Sequence, residues 1–270
     1  MILANGVNHV ELGSNNKPPE LVSAMLRDFR KKHRCHFVVH NYFPPVFGKF
    51  ILNLADINEN NLERSRSFVF NTLKLCHQIG APFYSVHCGY RIQLKASGEA
   101  GWSPLEPETN ALVNSYAESF HALYNSLQRI CAYAAKWGVN VLVENQYNIE
   151  GKEYALMCYP KEWEQLLSTV KAPNLGVLLD MGHLNVAAHQ SRFDPDELIH
   201  AVGSRLQAFH VHDNDGATDS HNPIQVGSWV LDVLRRPEFA KLPIIIESKF
   251  ETVTDLRRHV DWLKAELGRE

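Results

Sequence analysis

Seven short apolar runs recur along the chain: VNHVEL (7–12), HFVVH (36–40), FYSVH (83–87), VNVLVE (139–144), LGVLLD (175–180), LQAFHVH (206–212) and PIIIES (243–248). Each is rich in β-branched or aromatic residues and short enough to be a parallel strand buried on both faces. Helical patterns lie between them. PPELVSAMLRDFRKKH opens on prolines suited to a first turn, and NNLERSRSFVFNTLKLCHQIG ends on Gly80, a natural C-cap. NALVNSYAESFHALYNSLQRICAYAAKWG is long and stops at Gly138. DPDELIHAVG carries Asp194 as N-cap with Pro195 at the first helical position, and TVTDLRRHVDWLKAEL is the last pattern. Strand and helix alternate throughout, which predicts a parallel sheet covered by helices. A (β/α) barrel often fills a chain of 270 residues as one unit, so a single domain over 1–270 is expected. The longest irregular stretch, CGYRIQLKASGEAGWSPLEP (88–107), is a candidate lid.

Composition narrows the functional classes. The hydrophobic share of 45% supports a sizeable core, and a net charge of −3 argues against a large nucleic-acid footprint. The five cysteines are widely spaced without a CxxC pair, and read as free, mostly buried thiols of a reducing compartment. The opening residues lack the basic region and apolar core of a signal peptide, and no stretch reaches membrane-spanning length. A cytoplasmic protein with no membrane partner is the expectation.

The polar residues that end these runs carry the chemistry. Six of the seven runs finish on a group able to bind a divalent cation: His40, His87, Glu144, Asp180, His210 and Glu247. The intervals between them run from 30 to 57 residues, lengths that a strand–helix unit can span. In a parallel barrel the C-terminal strand ends share one face, so these groups would converge there. His183 in DMGH, and Asp219 and His221 in DSH, follow just beyond strand ends. Mixed imidazole and carboxylate donors suit zinc, manganese, cobalt or iron better than calcium. Taken singly, His183 or His87 would more often be a hydrogen-bonded core histidine, and it is the coincidence across strand ends that points to metal. His212 and Asp213 are read as supporting residues, Asp213 orienting an imidazole from behind.

The chain resembles the xylose isomerase-like barrel superfamily, which holds sugar isomerases and epimerases together with endonuclease IV. VLVENQ looks like the glutamate strand end of that group, LLDMGH its Asp-x-x-His motif and FHVHDND its His-x-x-Asp motif. DSH is similar to the Asp-x-His element and IIIES to the final glutamate. VVHNYFPP followed by ILNLAD, and SVHCG, resemble the two histidine segments of endonuclease IV. The resemblance covers residue 7 to the end and implies counterparts for all nine ligands of a three-metal cluster: His40, His87, Glu144, Asp180, His183, His210, Asp219, His221 and Glu247. It also implies that the first βα unit is lacking, with VNHVELG in the place of the second strand and seven strands where eight are usual. The exposed sheet edge this leaves makes a homodimer the expectation. The long basic DNA-inserting loop of endonuclease IV has no counterpart, and PIQVGSW replaces the usual Gly-x-Gly stretch.

Two chemistries follow from the resemblance. The first is isomerisation or epimerisation of a sugar or sugar phosphate on one ion held by Glu144, Asp180, His210 and Glu247. Glu144 and Glu247 would trade a proton through an enediolate while His183 holds a substrate hydroxyl. Asn41, Tyr90, Arg91 and Lys249 are the candidate substrate contacts, with Lys95 a further anion contact and Trp102 and Tyr147 sugar-stacking candidates. The second is phosphoester hydrolysis by up to three ions, as in an AP endonuclease, which retention of all nine positions favours. A sugar-binding remnant without turnover is the third class, opposed by the intact glutamate pair. The missing DNA-inserting loop tips the reading towards the isomerase or epimerase.

Overall fold

All seven apolar runs form strands, and they do so because each offers alternating side chains to two apolar surroundings. The computed structural model describes residues 6–13, 19–44, 50–97, 101–104, 113–148 and 152–269. Along the chain come β1 (His9–Leu12), α1 (Pro19–His33), β2 (His36–His40), α2 (Glu59–Ile79), β3 (Phe83–His87), β4 (Leu94–Ser97), β5 (Gly101–Pro104), α3 (Tyr116–Ala135) and β6 (Asn140–Glu144). There follow α4 (Pro160–Thr169), β7 (Leu175–Asp180), α5 (Met181–Ser191), α6 (Pro195–Val202), β8 (Leu206–Val211), α7 (Trp229–Leu234), β9 (Ile244–Ile246) and α8 (Val253–Glu266). Seven strands make one all-parallel sheet in the order β1-β2-β3-β6-β7-β8-β9, a nearly closed barrel with helices between the strands. The TIM-type architecture read from the sequence is therefore the one observed.

Period-two alternation divides the side chains of each strand between two cores. Val39, Tyr84, Val86, Val141, Val143, Val177, Leu179, Phe209 and Val211 face the helices and join the large core. Phe83, Leu142, Leu178 and Ala208, with Val38 and Ile245 packed against them, form a separate apolar layer inside the barrel. Two residues further along the same strands stand Ser85, Glu144, Asp180, His210, His40 and Glu247. The barrel is thus plugged with hydrocarbon below and polar at its C-terminal mouth. Register fixes who meets whom there. His40 lies opposite Ser85, His87 opposite Glu144 and Asp180 opposite His210. The last pairing depends on a shift of register between Val177 and Leu178, after which Leu178 faces Ala208.

Helix ends follow the predicted chemistry where it was predicted. Gly80 takes a left-handed conformation (φ 65°) and its N–H reaches Cys76 O and His77 O. Asp194 caps α6 through Asp196 N–H. Within the long pattern, helix α3 starts at Tyr116, where Ser115 and Glu118 form a capping box. Three shorter helices, α4, α5 and α7, were not anticipated. The 88–107 stretch, expected to be irregular, contains an antiparallel hairpin in which Leu94 pairs with Pro104 and Ser97 with Gly101. All five cysteines are buried and free. Among the described residues no helix is long and apolar enough to cross a membrane.

Buried Glu162 organises the entry to α4, its Oε2 accepting the N–H groups of Cys158 (2.6 Å) and Tyr159 (3.0 Å). Burial pushes its carboxyl up from 4.5 to about 7 against those two donors. A folded pKa above the unfolded one contributes stability that is complete below 4.5 and lost as pH rises through 7. Glu162→Gln keeps an oxygen acceptor and removes the titration. It is expected to flatten the decline of the denaturation midpoint between pH 4.5 and 7, measured by urea unfolding across that range.

Candidate metal centre

The strand ends deliver their polar groups to a cavity of about 280 Å³ at the barrel mouth, lined by His40, His87, Tyr90, Glu144, Gln146, Tyr147, His183, Asp219, His221 and Glu247. Glu144 is its hub. Oε1 stands 3.4 Å from His87 Nε2, 3.5 Å from His183 Nδ1 and 3.5 Å from His210 Nδ1, and Oε2 is 3.4 Å from His40 Nδ1. His210 Nδ1 also faces Glu247 Oε2 at 3.3 Å and Asp180 Oδ2 at 3.7 Å. Three carboxylates from β6, β7 and the end of β9 therefore surround one imidazole nitrogen.

These spacings test whether a cation fits. Separations of 3.3–3.7 Å exceed the 2.7–3.2 Å of N–H···O hydrogen bonds. They match the edge of a tetrahedron whose ligands lie about 2.1 Å from a central zinc, about 3.4 Å. Among the described residues, buried Glu144 Oε2, His210 Nδ1, His212 Nδ1 and Asp219 Oδ1 have no hydrogen-bond partner, a costly state for four clustered polar atoms. Glu144, Asp180 and His210 offer ligand atoms within 4.8 Å of one another, as do His40, His87 and Glu144, and His212, His221 and Glu247. Donor set and spacing fit a divalent cation of the zinc or manganese type.

The imidazoles on the far side are already oriented for that task. His183 Nδ1 meets Asn145 O at 2.9 Å and His221 Nδ1 meets Glu247 O at 3.0 Å. With each Nδ1–H held by a carbonyl, both Nε2 atoms turn to Asp219 Oδ2, at 3.4 and 3.1 Å. His221 holds this pose in a left-handed backbone conformation, φ 53°. Asp180 is fixed from three directions. Its N–H donates to Asn145 Oδ1 (2.7 Å), its Oδ1 accepts the His183 N–H (2.7 Å), and His212 Nε2 lies 3.1 and 3.2 Å from its two oxygens. Gly182 makes room for His212, because a Cβ there would collide with the imidazole.

Electrostatics at the centre are strongly coupled. Burial pushes the Glu144 carboxyl up, but His87, His40 and His210 together hold it well below the usual carboxylate range. Burial opposes charge on His183, yet Asp180, Asp219 and Glu144 raise it to about 10. Burial likewise opposes charge on His210, and Glu11 and Glu144 outweigh it, taking the ring well above its ordinary value. Protons on these rings balance the same carboxylates that a divalent cation would balance, so cation binding must release them.

All nine groups of the expected set gather at this mouth, together with two that sequence reasoning passed over or underrated. Glu11, on β1, lies 2.9 Å from His210 Nε2. His212 is fully buried against Asp180 and stacks on His221 at 4.1 Å. Asp213 does not orient an imidazole. Its carboxylate accepts the Asn214 N–H, and its backbone pairs with Asn222. The expected substrate contacts divide. Tyr90 lines the cavity. Asn41 stands behind it, with Nδ2 at 3.4 Å from His87 Nδ1. Arg91 stands outside the lining, bonded to Asn114 O and Glu153 O and paired with the Glu153 carboxylate. Lys249 is exposed and also outside the lining. The Lys95 and Trp102 side chains fall outside the described residues, and Tyr147 lies in the lining.

Residues 2–266 match the family model of the xylose isomerase-like TIM barrel. The chain is 25% identical over 243 residues to an uncharacterized protein of Methanocaldococcus jannaschii, covering 90% of this chain and 73% of that one. It is 26% identical over 226 residues to a probable endonuclease 4 of Aquifex aeolicus, covering 78% and 72%. Among solved structures, a D-tagatose 3-epimerase-like protein superimposes with a TM-score of 0.74 at 21% identity, over 97% of this chain and 88% of that one. A D-psicose 3-epimerase in the presence of D-fructose does so with a TM-score of 0.70 at 14% identity, over 98% and 91%. At these identities the structural likeness is one of fold.

Proposed function

The chain belongs to the xylose isomerase-like TIM barrel family, and we propose that it is a divalent-metal-dependent isomerase or epimerase of a sugar, moving a proton between Glu144 and Glu247. The observation that carries this reading is the pair of carboxylates, from β6 and the end of β9, converging on His210 Nδ1 at 3.5 and 3.3 Å. A cation held by Glu144, Asp180, His210 and Glu247 would supply positive charge to the carbonyl and adjacent hydroxyl of the sugar. Glu247, a third exposed, and buried Glu144 both line the cavity. One carboxylate takes the proton from the carbon beside the carbonyl, and the electron pair moves into the C=C bond of an enediolate. The second carboxylate returns a proton, to the opposite face of that carbon for epimerisation, or to the former carbonyl carbon for isomerisation, in which case the hydroxyl proton of the first carbon passes to the former carbonyl oxygen. His183 Nε2, oriented by Asn145, and Tyr90 offer partners to substrate hydroxyls. Among the described residues Arg91 is committed to Glu153 and Lys249 faces solvent, so neither of these two cations lines the cavity, and an unphosphorylated sugar is the substrate tested first. The same reading takes 1–270 as one domain and the molecule as a cytoplasmic homodimer, the latter checked by sizing in solution.

Hydrolysis of a phosphoester on two or three ions is the second reading, favoured by the separate His40–His87–Glu144 grouping and by the endonuclease 4 relative. One experiment separates the two. Untagged protein is analysed for metal content, then incubated in D₂O with unphosphorylated ketoses and aldoses. Deuterium entering the carbon beside the carbonyl supports proton transfer. Cleavage of abasic-site DNA at low enzyme concentration, with no exchange into any sugar, overturns it. His40→Ala is expected to leave exchange largely intact, since His40 is outside the minimal ligand set, and its loss of all activity would favour the hydrolase.

A further inference from the structure

We propose that Glu11 is the positioning residue for His210, holding that ring so that Nδ1 is presented to the cation; the inference rests on His210 being a cation ligand. Glu11 lies on β1, at one edge of the sheet, and His210 on β8, next to the other edge. Across the barrel interior Glu11 Oε2 nonetheless comes within 2.9 Å of His210 Nε2. Register explains how. Glu11 pairs with Val38, whose side chain packs into the inner apolar layer, so the carboxylate points inward just below the ring of metal-facing groups. A carboxylate driven to that depth needs a partner, and Oε1 of Glu11 has no hydrogen bond.

An imidazole binds a cation through one nitrogen and requires the other to be a protonated donor with an acceptor of its own. His210 is fully buried, so solvent does not provide that acceptor. Nδ1 faces Glu144, Asp180 and Glu247, which leaves Nε2 as the donor and Glu11 as the carboxylate beside it. The two atoms are close but not aligned as a hydrogen bond. The terminal torsion of Glu11, soft in glutamate, is the rotation that alignment requires. The arrangement is a carboxylate–histidine–cation relay that selects one tautomer, locks the ring and makes Nδ1 a stronger donor. It also links the first strand to the eighth across an incompletely closed barrel.

The test uses the full chain loaded with zinc. Long-range ¹H–¹⁵N NMR of wild type should show His210 with a protonated Nε2. Glu11→Ala is expected to weaken zinc binding by about 10–100-fold in competition titrations, with the number of ions unchanged. Glu11→Gln, an isostere that can accept the same N–H without charge, should show a smaller loss. A protonated Nδ1 on His210, or zinc affinities of both variants equal to wild type, would overturn the proposal. So would loss of one whole ion with unchanged affinity for the rest, which would make Glu11 a direct ligand beside His40. Wild-type protein that takes up none of zinc, manganese, cobalt or iron would remove the proposed function itself, an outcome distinct from metal binding that ignores position 11.

Discussion

Glu144→Gln is expected to lower turnover by about 10²–10⁴-fold at saturating metal while the barrel stays folded. The amide fills the same volume, so packing above the Leu142–Leu178 layer is retained. What is lost is the anion that faces His40, His87, His183 and His210, and with it the oxygen proposed to exchange a proton with substrate. Solvent deuterium exchange should fall with kcat, because both need the same base. Circular dichroism and metal content on the same samples separate a chemical loss from a collapsed site. Exchange at the wild-type rate would remove Glu144 from the proton path.

Asp180→Ala should do wider damage. The carboxylate is fully buried, caps α5 through the His183 N–H, meets His212 with both oxygens and faces His210 Nδ1. Deleting it strands three buried imidazoles, and removal of one partner from such a set costs about 3–5 kcal/mol. Metal binding should be lost as well. Asp180→Asn tests the parts separately, since the amide oxygen still caps α5 but brings no charge. The expected order of stability in urea, measured without metal, is wild type, Asp180→Asn, Asp180→Ala. Equal midpoints for all three would show that this carboxylate holds nothing in place.

Much of the architecture was legible because parallel strands impose a simple rule on sequence. A run buried on both faces reads as continuous hydrocarbon, and the polar residue that ends it must lie at the barrel mouth. His40, His87, Glu144, Asp180, His210 and Glu247 all obey that rule. Glu11 does not. Its run ends on Leu12, its carboxylate sits one pleat lower, and its partner lies across the barrel, a relation that no spacing along the chain records. Helix α5 escaped notice because Asp180 ends a strand and caps a helix at once, leaving no polar interval between LGVLLD and MGHLNVAAHQS. Arg91 was drawn to the site by its place after β3, but Glu153 and two carbonyls claim its guanidinium. Competition from neighbours distant in sequence decided these cases.

The hairpin of β4 and β5 hangs between β3 and α3 without joining the barrel sheet. Its stem is tied at the base, where Arg91 N–H reaches Tyr154 O and Asn114 N–H reaches Arg91 O. Among the described residues, Leu94–Ser97 and Gly101–Pro104 pair with each other and with no strand of the barrel sheet, so this pairing can change without altering the barrel's own ladder. The candidate ligands and this hairpin are thus written in different passages of the gene. Exchanging that pair of strands for a relative's would therefore leave the candidate metal ligands as they are.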